Sequence, residues 1–71
     1  TDNPLKGREV LLEIVPMGSI VKVTAFDSQS LTEISIQGPA SAGEATLKYN
    51  ALRRLHYVLK KKGIYPEIRD F

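Results

Sequence analysis

Residues 8–27 read REVLLEIVPMGSIVKVTAFD, and this stretch decides the fold. Apolar and polar residues alternate on both sides of Pro16-Met17-Gly18, as they do in β-strands that bury one face. Proline and glycine are typical of a turn between two such strands. The stretch therefore predicts strands over residues 8–15 and 20–27, joined by a turn.

Opposed residues of neighbouring strands share a face of the sheet, so the sequence also suggests how these two strands pair. Placing Val15 opposite Ile20 aligns the apolar residues of both strands. The same alignment sets Glu13 against Lys22 and Arg8 against Asp27, both pairs of opposite charge. We therefore expect this register.

A third strand and a helix follow. Residues 31–37 alternate again, and Gly38-Pro39 is expected to end the strand. Ser41 and Glu44 have the spacing of a capping box, which predicts a helix over 42–62 with Gly63 at its carboxyl end. The expected apolar stripe of this helix is centred on Ala45, Leu52, Leu55 and Leu59 and widened by Leu47, Ala51 and Val58.

The predicted architecture is α+β, a two-layer β-β-β-α arrangement. A three-stranded antiparallel meander carries one C-terminal helix on one face. The 71 residues allow a single domain with a small core. We expect a flexible N-terminus over 1–7, a folded core over 8–63 and a tail over 64–71.

One helix covers one face of a sheet, which leaves large apolar side chains on the other. These are Leu11, Val15, Ile20 and Phe26. Isolated hydrophobic residues are ordinary on protein surfaces. Four of them beside a thin core favour a contact surface instead, most simply in a homodimer. Pairing through the free edge of the first or third strand is an alternative route to the same state.

Charge is distributed unevenly along the chain. Residues 45–63 contain six basic and no acidic residues, although the net charge of the whole chain is only +2. The exposed arc of the helix is expected to carry Arg53, Arg54, Tyr57, Lys60 and Lys61. Such a face could hold phosphates and stack a base, or bind an acidic protein, or simply be solvated. Nucleic-acid binding is therefore the alternative function, and no known RNA- or DNA-binding motif supports it.

Signals for chemistry are weak. The chain has no Cys and one residue of His, so we expect no metal and no cofactor. Ser19 and Lys22 match S-x-x-K only by letters, because a strand would turn them to opposite faces. His56 is interpreted as a boundary side chain of the helix, and Glu9, Glu13 and Glu33 as exposed carboxylates. We therefore expect no enzyme activity. The apolar runs are too short to span a membrane and no signal peptide is recognised, so we expect a cytoplasmic protein that does not associate with a membrane.

The chain resembles, over residues 7–62, a family of short proteobacterial proteins that is classed as a domain of unknown function. The resemblance lies in Arg8-Glu9-Val10, Glu13, Gly18, Val21-Lys22-Val23-Thr24-Ala25, Asp27, Gly38-Pro39-Ala40 and Ala51-Leu52-Arg53-Arg54-Leu55. It implies a compact domain in a bacterial cytoplasm. It implies no catalytic residue.

Overall fold

The structure, a computed structural model, describes residues 7–63. It has three strands, β1 (Val10–Met17), β2 (Ile20–Asp27) and β3 (Thr32–Pro39), followed by a 3₁₀ turn (Ala40–Ala42) and one helix, α1 (Glu44–Lys61). The strands form an antiparallel sheet in the order β1-β2-β3. The predicted α+β meander with a C-terminal helix is confirmed. The expectations for residues 1–6 and for the tail 64–71 lie outside the described residues.

The register between β1 and β2 differs from the expected one by two residues. Val15 lies opposite Lys22 instead of Ile20, and Glu13 lies opposite Thr24 instead of Lys22. The cause is the turn, since β1 continues through Pro16 and Met17 and only Gly18 and Ser19 connect the strands. Gly18 has a φ of +68°, which suits the first central position of a type II′ hairpin turn. A shift of two residues leaves every side chain on its predicted face.

Helix α1 begins differently from the prediction. Ser41 lies within the 3₁₀ turn, and the residue before the helix is Gly43, with a φ of +88° and no side-chain cap. The expected capping box of Ser41 and Glu44 is therefore wrong, because that backbone conformation favours glycine at the cap position. The opposite end agrees with the sequence, since Gly63 adopts a φ of +71° directly after the helix.

The core lies between α1 and the strands β2 and β3. Its fully buried hydrophobic residues are Val23, Ala25, Leu47, Ala51, Leu55 and Leu59. Ala45 is exposed and Leu52 only half-buried, so the buried stripe of the helix is rotated from the expected centre toward Leu47 and Ala51. Strand β3 runs to Pro39, two residues beyond its expected end.

Gly38 allows the helix to come close to β3. A Cβ atom added at Gly38 would lie 2.5 Å from Cδ2 of Leu47, well inside van der Waals contact. Helix α1 packs across β3 and β2 rather than β1. One strand of the sheet is therefore left beside the helix instead of beneath it.

Candidate functional site

The face of the sheet away from α1, called here the outer face, carries the predicted interface residues. Leu11 pairs with Phe26 at one end of this face, and Met17 pairs with Ile20 at the other. Polar residues lie between the two ends, with Glu13, Thr24 and Ser35 forming one row. Thr24 and Ser35 are joined through their hydroxyl groups at 2.9 Å. The four predicted residues Leu11, Val15, Ile20 and Phe26 thus share a face but do not form one continuous patch.

Met17 lies in β1 and not in the turn that the sequence predicts, so it is an outer-face residue outside the predicted interface. It extends the apolar end around Ile20, where the surface also forms an open groove. The groove has a volume of about 530 Å³ and is lined by Ser19, Ile20, Gln37, Gly38, Pro39, Ala40 and Ser41.

The other face of β1 carries a second apolar row, which we call the β1 strip, and in it Val10 and Ile14 are partly buried against the core. It consists of Val10, Leu12, Ile14 and Pro16, the residues that pair with the inward-facing side of β2. Leu12 is 37% exposed although its partner Ala25 is completely buried. The difference arises because α1 covers β2 and β3 and not β1.

A buried ion pair ties the start of β1 to the end of β2. Arg8 donates to Asp27 through Nε to Oδ1 at 3.1 Å and through Nη2 to Oδ2 at 2.8 Å. Ser30 adds its backbone N–H and its hydroxyl to the same carboxylate. The pKa of Asp27 is lowered from 3.8 to about 2, chiefly by the Arg8 hydrogen bonds and also by the Ser30 donors, against the opposing effect of burial. Both oxygens of the buried Asp27 carboxylate thus accept hydrogen bonds, and we call this ion pair a structural clasp between β1 and β2.

Lys62 extends this cluster from the helix side. Its Nζ donates to the Thr32 hydroxyl at 3.2 Å, and that hydroxyl is also hydrogen-bonded to the Ser30 hydroxyl at 2.8 Å. The end of α1 is thereby connected to the turn between β2 and β3.

The basic face of α1 is organised by its tyrosines. The guanidinium of Arg54 lies 5.5 Å from the centroid of the Tyr57 ring, and the ammonium of Lys61 lies 5.8 Å from it. Arg53 lies 5.8 Å from the ring centroid of Tyr49, a residue absent from the predicted set although its spacing of four from Arg53 was visible. We call Tyr49, Arg53, Arg54, Tyr57 and Lys61 the basic helical face. Lys60, also predicted here, is half-buried.

The remaining candidate residues are dispersed. Ser19 lies in the hairpin turn, whereas Lys22 lies on the outer face of β2. Glu13 and Glu33 share the outer face but are separated by the whole width of β2, or about 10 Å between the backbones. His56 is buried rather than at a boundary. Within residues 7–63, no buried polar side-chain atom lacks a hydrogen-bond partner.

The described residues contain neither a metal-binding cluster nor a membrane-spanning helix. No group of three or more His, Cys, Asp or Glu side chains is placed to hold a metal ion. The helix of the described region is too short or too polar to cross a membrane.

Comparison with known proteins gives one match. The family model of a domain of unknown function (DUF6898) matches residues 7–62, the same range over which the resemblance was seen in the sequence. No curated protein and no solved structure matches the chain.

Proposed function

The chain belongs to the DUF6898 family, and from this starting point we propose that it is a small homo-oligomeric interaction module, a homodimer in its simplest form. The observation that carries the proposal is the balance of its hydrophobic surface. Residues 7–63 bury only six hydrophobic side chains completely or nearly so. The same region exposes eight large ones, namely Leu11, Leu12, Val15, Met17, Ile20, Leu31, Tyr49 and Tyr57.

Five of these exposed side chains belong to the sheet between Leu11 and Ile20, on its two faces. Exposed apolar side chains concentrated in one hairpin are typical of a contact region between proteins. A second copy would supply apolar area that a single 71-residue core lacks. Association through the hairpin β1-β2 would therefore stabilise the domain as well as form the oligomer.

Sedimentation equilibrium on the full chain tests this proposal. Between about 1 and 100 µM, the range in which weak dimers form, we expect the mass to rise from 7.9 kDa toward twice that value. A mass of 7.9 kDa throughout that range would contradict the proposal.

Nucleic-acid binding through the basic helical face is the second candidate. Two tyrosine rings, each 49% exposed, stand beside Arg53, Arg54 and Lys61. Aromatic rings beside cations are the combination that binds single strands without sequence preference, because every base can stack and every phosphate is charged. This observation supports the candidate, although the same stacks also occur on surfaces that bind nothing.

Fluorescence anisotropy with a labelled single-stranded RNA tests this second candidate. Three cationic contacts, from Arg53, Arg54 and Lys61, predict that log K falls with log salt at a slope of about −2 for a single strand. Arg54→Gln should weaken binding, whereas Lys22→Gln on the outer face serves as the matched control. Absence of binding at about 50 mM salt, where electrostatic binding is strong, would exclude it.

We further propose that the protein carries out no reaction and works in the cytoplasm of a bacterium. The dispersal of Ser19, Lys22, Glu13 and Glu33 supports the first part, since catalysis needs a base beside a reacting group. The resemblance to short bacterial proteins supports the second. Fractionation of the native cell checks the location, with recovery in the periplasm or the membrane as the contradicting result.

A further inference from the structure

We propose that the second copy of this chain pairs along the free edge of β1, so that two β1 strands lie antiparallel and the two β1 strips meet. The inference rests on the proposed function and names the surface through which it is carried out.

The backbone N–H and C=O groups of β1 point alternately toward β2 and toward the free edge of the sheet. The N–H of Ser28 donates to the carbonyl of Glu9 at 3.1 Å, so Glu9 and Ser28 form a hydrogen-bonded pair. Such pairs alternate along an antiparallel ladder. In the β1-β2 register, the odd residues of β1 therefore bond to β2. The even residues, Val10, Leu12, Ile14 and Pro16, direct their N–H and C=O groups toward the free edge.

The residues whose backbone groups form the free edge are the same residues that form the β1 strip. Within residues 7–63 no strand pairs with this edge, and α1 packs mainly over β3 and β2. Val10, Leu12 and Ile14 thus combine apolar side chains with unpaired ladder groups. Pro16 has no N–H to leave unpaired, which is the position that proline tolerates in an edge strand.

The other edge of the sheet has a different character. The N–H of Ala40 donates to the carbonyl of Ser19 at 2.8 Å. By the same alternation, the odd residues of β3 direct their N–H and C=O groups toward the free edge of that strand. These are Glu33, Ser35, Gln37 and Pro39. Polar side chains and a proline are the means by which proteins protect an edge from pairing. The edge of β1 has one proline, Pro16, near its end, but apolar side chains at Val10, Leu12 and Ile14.

Charge disfavours the two registers that lie next to one centred on Leu12. Placing Leu12 opposite Leu12 of the partner sets Val10 opposite the partner's Ile14, and the N–H groups of all three residues then find acceptors. Moving the partner by two residues in one direction opposes Glu13 to the partner's Glu13. Moving it by two residues in the other direction opposes Glu9 to the partner's Glu13. Like charges directly opposite each other destabilise a sheet, so the Leu12-centred register is favoured.

The resulting dimer has a six-stranded sheet with both helices on one face. Each helix lies over β2 and β3 of its own copy, and the two β1 strips lie between the helices. Leu12 of one copy then packs against Leu12 of the partner.

Cysteine cross-linking of the full chain tests the arrangement, because the native chain contains no Cys. In the favoured register the two Cα atoms of residue 12 are about 5.5 Å apart, which suits a disulfide. Leu12→Cys should therefore form a covalent dimer under mild oxidation. The control is Ile20→Cys, which is exposed on the outer face and remote from the β1 edge.

Each outcome is decisive. Rapid cross-linking at residue 12 and slow cross-linking at residue 20 supports edge pairing. The reverse places the contact on the outer face and overturns the inference while the homodimer remains. Equal rates at both positions, as random collision gives, also overturn it. A wild-type chain that sediments as a monomer contradicts the proposed function itself.

Amide exchange gives an independent reading that needs no substitution. The amides of Val10, Leu12 and Ile14 point away from β2, so their exchange should slow by at least about tenfold when the protein concentration favours the dimer. Exchange of these three amides that does not change with concentration, in a sample shown to dimerise, would overturn the inference.

Discussion

The Arg8 guanidinium donates two hydrogen bonds to the Asp27 carboxylate, although the two residues are not directly opposite each other in the sheet. The residue opposite Asp27 is Val10, and Arg8 lies two positions earlier in the chain. The Asp27 side chain is completely buried, and the Arg8 side chain is 16% exposed. The pair therefore holds the beginning of β1 against the end of β2.

Removing Arg8 should be costly because it leaves a buried carboxylate without its cation. We expect Arg8→Ala to lower the free energy of unfolding by about 3 kcal/mol, measured by urea denaturation. The control is Lys48→Ala, which breaks an exposed pair with Glu44 at 3.0 Å and should cost less than about 1 kcal/mol. Equal losses for the two variants would contradict this view of the clasp.

Stability should fall in acid because of Asp27. Its pKa is about 2 in the folded chain and 3.8 ordinarily, so the folded state binds a proton less readily than the unfolded state. The stabilisation is complete above about pH 5 and is lost as the pH falls from there to about 2, a total of about 2 kcal/mol. Urea unfolding at several pH values measures this loss. Asp27→Asn should be less stable at neutral pH and show a flatter profile, and an unchanged slope in this variant would refute the assignment.

A methyl group at Gly38 should separate α1 from β3. The added Cβ would lie 2.5 Å from Leu47 Cδ2, and overpacking of a core costs about 1 to 3 kcal/mol. Thermal unfolding of Gly38→Ala measures this effect. Gln37→Ala, one residue earlier and exposed, is the control. In a double-mutant cycle with Leu47→Ala, the double variant should lose less stability than the sum of the two single losses. A loss equal to that sum would show that the contact is not the cause.

Leu31 is a site where a substitution should stabilise the domain. It has a φ of +59° and is 74% exposed, so it accepts backbone strain without burying its side chain. Leu31→Asn should raise the free energy of unfolding by about 0.5 to 1 kcal/mol, because asparagine tolerates this conformation better. Leu31→Ala keeps the strained backbone and should give no such gain. A gain of equal size in both variants would point to the side chain instead.

The faces of the strands were predictable, and the register was not, for one physical reason. Alternation has a period of two, so Leu11 and Ile20 are assigned to the outer face in either register. Only the length of the turn distinguishes the two registers. Pro16 and Met17 look like turn residues, yet both are paired in β1, because proline is accepted where its missing N–H faces the edge.

The start of the helix shows a similar ambiguity. Ser41 and Glu44 match a capping box in the sequence, but Gly43 between them takes a positive φ and a 3₁₀ turn precedes it. The same alternation of apolar residues could not reveal how far α1 stands from β1. The position of the helix over β3 depends on the close approach of Leu47 to Gly38, which is a property of the folded packing.

Pro39, at the free edge of β3, limits how large an assembly can become. Two chains joined along β1 would present β3 at both outer margins, and each margin carries Pro39 beside Glu33, Ser35 and Gln37. A third chain would meet a missing N–H and a row of polar side chains there. Growth into a fibre is then blocked at both ends, and the assembly closes at two.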